Sequence, residues 1–198
     1  MRPLRDMEKL FPDDWLRLVN DSGHELNMRA ANRGSFSHGT QPYSAQAKPV
    51  DQLRVRADNT DETNYFGSVG NMQREVMLHE LGHRMEGHVP GLREMEFTLV
   101  RRRSTSQGQL ETPRQMQAAP RGEVSYHDEW RSPYTGRTYE DRVGGGGDPA
   151  RQSWEVFQTG LQSAVAGNDK YEDEELNNFV WGSLLTLGRS QPADAVSV

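Results

Sequence analysis

The stretch Val76-Met77-Leu78-His79-Glu80-Leu81-Gly82-His83-Arg84-Met85-Glu86-Gly87-His88 carries three of the six histidines in the chain, together with two glutamates. His79 and His83 are four residues apart. On a helix that spacing puts them about 40° apart around the axis and roughly 5–6 Å apart at Cβ, so both rings can reach one ion. Glu80, one position on from His79, falls beside that face. From there a carboxylate can hold a water on a metal ion without displacing it, as a general base must. His88 is five residues past His83, about 140° around a continuous helix, and so faces away. Glu86 shares the face of the histidines one turn on and reads as a partner to them, not as a third donor.

Working outward, the period around this stretch is helical: Met72, Val76, His79 and His83 fall on one stripe, and Gly87 followed by Pro90 ends it. A second helix covers Leu92 to Arg103, with Leu92, Met95 and Leu99 inward. Before them, Pro12-Asp13-Asp14 with Trp15, Leu16, Leu18 and Val19 predicts a short amphipathic helix stopped by "NDSG" at 20–23. Leu26, Met28 and Ala30, and again Leu53, Val55 and Ala57, alternate with polar residues as half-buried strands do, with another strand near 34–38. Downstream, Trp154, Phe157, Leu161 and Val165 have core spacing on a helix beginning near Arg151, and a last helix spans 171–187. These elements predict an α+β domain over 1–188, with a flexible loop at about 104–122 and a disordered tail at 189–198.

Composition narrows the function. The chain of 198 residues has no cysteine, so disulfides, thiolate metal sites and cysteine nucleophiles are excluded, and any metal must be held by nitrogen and oxygen. Net charge is −6, which argues against nucleic acid as a partner; the one basic cluster, Arg101-Arg102-Arg103, reads as a solvated helix C-terminus. No apolar run has the length of a membrane span and the N-terminus has no apolar export segment, so the expectation is a cytoplasmic or virion-associated protein. The glycine run 144–147 lacks a following Lys-Ser/Thr and reads as a linker.

A tetrahedral ion needs a third donor from another direction, hence from another element. "RQSWEVFQTGLQ" offers Glu155, although a lone glutamate is more often solvated. Here the sequence resembles gluzincin-like metallopeptidases, in particular those encoded by phages and bacterial mobile elements. The resemblance rests on His79 to Glu86 ("HELGHRME"), Pro90 to Phe97 ("PGLREMEF"), Trp130 to Tyr139, Trp154 to Gly160 and "NNFVWGSLLTL" at 177–187, and it covers most of the chain from about Leu53. It implies a small zincin-like domain in which a short mixed or antiparallel sheet packs on the HExxH helix and C-terminal helices. It also implies a zinc ion held by His79, His83 and Glu155, Glu80 as general base, and a peptide or protein substrate. Thr159 stands four residues after Glu155, where some members carry an acid. Tyr134, Tyr139 and His127 are the candidates to stabilise an oxyanion. The alternative is a catalytically inactive metallopeptidase-like binding or structural module of a phage or toxin protein.

Overall fold

The computed structural model describes residues 7–31, 35–40, 49–56, 69–115, 124–126, 130–138 and 153–187. Tyr139, His127, the glycine run and the tail lie outside the described residues.

Pro12 opens helix α1 (Asp13–Asp21), which buries Trp15 and Val19 and carries both aspartates in its first turn. Three strands follow, β1 (Glu25–Ala31), β2 (Ser35–Thr40) and β3 (Pro49–Arg56). They form a mixed sheet in the order β1-β3-β2, with β1 parallel and β2 antiparallel to the central β3. The parallel register aligns Glu25 with Val50 and Leu26 with Asp51.

The sheet packs on α2 (Val69–His88), the helix that carries the histidines. This helix differs from the one-stripe expectation: every residue from Met77 to Glu86 is buried. It is the central rod of the fold, so its polar residues must find partners inside the protein. Nor does Gly87 end it. The helix runs on to His88 and stops before Pro90, which cannot continue the backbone pattern.

Helix α3 (Leu92–Arg103) buries Leu92, Glu96, Leu99 and Val100, so Glu96 takes the interior place that spacing had assigned to Met95. At its end the arginine run is more than a solvated terminus. Arg103 pairs with Asp173 at 2.6 Å and lies over the Trp130 ring at 3.9 Å, while Arg102 pairs with Glu175. Within the expected loop at 104–122, β4 (Thr105–Ser106) and β5 (Gln109–Leu110) form a minimal hairpin. Then β6 (Arg114–Gln115), β7 (Val124–Ser125) and β8 (Arg137–Thr138) make a small antiparallel sheet.

Helix α4 (Val156–Ala164) starts five residues later than expected, with Glu155 at its N-cap, and buries Val156 to Ser163 without a break. Trp154 forms a bridge with Thr138 instead of joining the helix. After a 3-10 turn at Asp169–Tyr171, α5 (Glu174–Thr186) is capped by Asp173, whose side chain accepts from the Leu176 N–H. Among the described residues no helix is long and apolar enough to cross a membrane.

Two close crossings set the interior. A Cβ on Gly82 would lie 3.1 Å from both Gln158 and Leu161 side chains, so α4 runs hard against α2. A Cβ on Gly160 would come within 2.5 Å of the Val180 side chain, so α5 runs as hard against α4. The Trp15 indole N–H donates to the Leu187 carbonyl at 2.8 Å, which ties α1 to the end of α5.

The sheet is pinned to α2 by a buried charge. Asp51, fully buried, accepts from Arg84 Nε at 3.0 Å and contacts His88 Nε2 at 2.9 Å and His24 Nδ1 at 3.0 Å. Arg84 also donates to the His24 carbonyl at 3.2 Å. Removing the acid leaves a buried guanidinium without its counter-charge, and Asp51→Ala is expected to cost about 3–5 kcal/mol of unfolding free energy. Gly160→Ala is expected to cost about 1–3 kcal/mol through overpacking against Val180. Denaturant titration of the two variants against wild type measures both.

Candidate metal centre

Helix α2 supplies His79, Glu80, His83 and Glu86, the N-terminus of α4 supplies Glu155, and the crossing at Gly82 brings the two helices together. The three expected donors converge. His79 Nε2 is 3.0 Å and His83 Nε2 is 3.4 Å from the same Glu155 oxygen, Oε2. The two imidazoles stand edge to face, with ring centroids 5.0 Å apart. His79, His83 and Glu155 each offer one donor atom within 4.8 Å of the others, a group able to hold a metal ion.

The donor set fits such an ion. Bonds of about 2.0–2.1 Å to a tetrahedral ion place donor atoms about 3.3–3.4 Å from one another, close to the spacings seen here. The outer nitrogens are also committed. His79 Nδ1 contacts Gln162 Oε1 at 3.0 Å, and His83 Nδ1 contacts Glu86 Oε2 at 3.3 Å. In the neutral ring, an oxygen acceptor at Nδ1 favours the tautomer with its lone pair on Nε2, the nitrogen a metal would take. Tyr134 donates its hydroxyl to Glu155 Oε1 at 3.0 Å, holding the carboxylate by its other oxygen. Tyr134 thereby orients Glu155, a different task from the oxyanion contact expected of it.

The electrostatics ask for a cation. Glu155 is fully buried, where most glutamates are solvated. Burial alone would push its carboxyl up, but the charges of His83 and His79 and their hydrogen bonds hold it well below the usual carboxylate range. Burial also opposes a charged His83, yet Glu155, by charge and hydrogen bond, and then Glu86 raise it well above the usual imidazole value. A divalent ion bound there would displace a proton, because an imidazole donor must be deprotonated to ligate.

Glu80 is near the group and outside it. Burial pushes its carboxyl up, His79 and His83 pull it back, and the Glu155 carboxylate pushes it up again. Its Oε2 is buried with no hydrogen-bond partner among the described residues.

Glu86 holds the centre together behind the donors. It accepts from the Trp154 N–H at 2.7 Å and the Ser153 hydroxyl at 2.8 Å, with Gln158 Nε2 at 3.4 Å. Gln162 was not read from the sequence as a site residue. Its signal was its position seven residues after Glu155, two turns along the same helix face. His88 is turned to Asp51, away from this centre. His24, Asp51 and His88 form a second group with metal-like spacing. The Arg84 guanidinium already bonded to Asp51 gives that cluster its cation, so it reads as an ion-pair network.

In comparisons with known proteins, no family model, curated protein or solved structure matches this chain.

His79→Ala, His83→Ala and Glu155→Ala are each expected to weaken divalent-metal binding by more than about 100-fold, beyond the 10–100-fold typical of an outer partner. His88→Ala should bind as wild type does. Competition titration against a chromophoric chelator reads all four.

Proposed function

We propose that the protein is a zinc-dependent metallopeptidase, with His79, His83 and Glu155 holding the ion and Glu80 as general base. The resemblance of the sequence from "HELGHRME" onward suggests it. The observation that carries it is the position of Glu80, a buried carboxylate with one oxygen unpartnered among the described residues, beside the three converging donors and not among them.

A zinc ion bound there supplies a Lewis acid and a water whose pKa falls to about 7. The protein's own groups do the rest. Glu80, raised by burial, is matched to receive a proton from water at its free Oε2 as the oxygen attacks a peptide carbonyl. The same carboxyl then returns the proton to the departing amine nitrogen. Gln162 and Glu86 hold the two imidazoles, and Tyr134 holds Glu155, so that the donors do not reorganise while charge moves. Zinc is favoured among divalent ions because two imidazoles and one carboxylate, with no thiolate, make the donor set of hydrolytic zinc sites.

Glu80→Gln should keep one zinc per chain and lower peptide cleavage by at least about 10²–10⁴-fold, the usual contribution of a general base. Metal content by elemental analysis and turnover of a mixed peptide pool measure the two sides. Wild type that holds zinc yet cleaves no peptide would favour a metal-stabilised binding module instead. An active Glu80→Gln enzyme would remove Glu80 from the mechanism.

A further inference from the structure

An N-cap residue ordinarily turns its side chain back onto the N–H groups of the first helical turn. Glu155 is the N-cap of α4, with φ −111° and ψ 5°, and makes no such bond. Its oxygens are at His79, His83 and Tyr134. The first amides of a buried helix still need acceptors. Another helix provides one, and a second acceptor holds the residue just before the cap. Glu86 of α2 accepts from the Trp154 N–H, and Glu96 of α3, fully buried, accepts from the Phe157 N–H through Oε1 at 2.8 Å. Phe157 is the second residue of α4, whose N–H an N-cap side chain would take.

We propose that Glu96 is a positioning residue of the metal centre: by capping α4 from α3, it releases the Glu155 carboxylate to face the two histidines. This rests on the reading of His79, His83 and Glu155 as metal donors. Glu155 has two competing acceptor tasks within reach of one side chain, the amide of its own helix and the imidazole pair. Glu96 fills the first and leaves the second. Burial and the nearby Glu86 carboxylate raise Glu96 well above the usual carboxylate range, while the bond it accepts from the Phe157 N–H pulls it back. A glutamine has the same acceptor. The chemistry therefore distinguishes the cap from mere filling of space.

Zinc affinity measured by chelator competition should fall about 10–100-fold in Glu96→Leu and stay within about threefold of wild type in Glu96→Gln, the scale of an outer partner's effect. Folded Glu96→Leu protein with wild-type affinity would overturn the proposal, as would Glu96→Gln protein as weak as Glu96→Leu. A second measurement needs no Glu96 variant and no metal. Amide exchange at Phe157 in the zinc-free protein should be equally slow in wild type and in Glu155→Ala. Faster exchange in Glu155→Ala would show that Glu155 caps its own helix, and would overturn the proposal even if Glu96→Leu fails to fold. Wild type that takes up no zinc would instead overturn the metal reading itself, an outcome visible before any variant is made.

Discussion

The crossing of α4 over α2 at Gly82 is the contact on which the centre depends. The missing side chain lets Gln158 and Leu161 approach the helix axis, and that approach sets how far Glu155 and Gln162 stand from His79 and His83. Any Cβ at residue 82 would have to displace the Gln158 and Leu161 side chains it meets at 3.1 Å. A shift of a few tenths of an ångström is tolerable in an apolar core. It is less so between donor atoms that must converge on one point. The HExxH pattern leaves that residue unspecified, yet here the interhelical distance makes it part of the site.

Around this crossing the interior is unusually acidic. Glu80, Glu86, Glu96 and Glu155 are all buried, against two histidines in the same region. Such a concentration of carboxylates is costly unless each is neutral, hydrogen-bonded or opposite a cation. These devices are present: Glu96 is raised toward its neutral form and accepts from the Phe157 N–H, Glu86 is spent on an amide, a hydroxyl and an imidazole, and Glu155 faces His79 and His83. The second buried acid network, Asp51 with Arg84, carries its own cation and so asks for nothing further.

The parts legible in the sequence were those governed by local spacing. The i, i+4 histidines and Pro12 at the start of α1 depend only on neighbours along the chain, and the structure places them as spacing implies. Glu155 came into view by resemblance, because nothing around it announces burial. Asp51 was missed although it shares the alternating phase of Leu53, and Glu96 was missed although it lies one turn from Leu92 on the inward face. In both cases the charge of the side chain speaks for solvent, where most such groups belong. The late start of α4 was illegible for a related reason: Trp154 has core spacing with Phe157 and Leu161, but a β-bridge to Thr138 claims it first. The parallel pairing of β1 with β3 is a tertiary choice that period-two alternation does not encode.

The bond between the Trp15 indole and the Leu187 carbonyl joins residues 172 positions apart. It gives the fold an order of assembly. As the chain is synthesised, the histidine pair emerges long before the segment that brings Glu155 and Gln162, the latter 83 residues from the histidine it holds. Helix α4 in turn finds its Gly160 crossing only once α5 exists, and α1 waits for the end of α5. Contacts this distant in sequence form slowly, because the loop between them must be closed first. An early metal ion would meet two imidazoles and a flexible chain, too few donors to hold it firmly. Were an ion to bind there, its capture would come late and would lock a nearly finished fold, and its removal would loosen the C-terminal helices before the sheet.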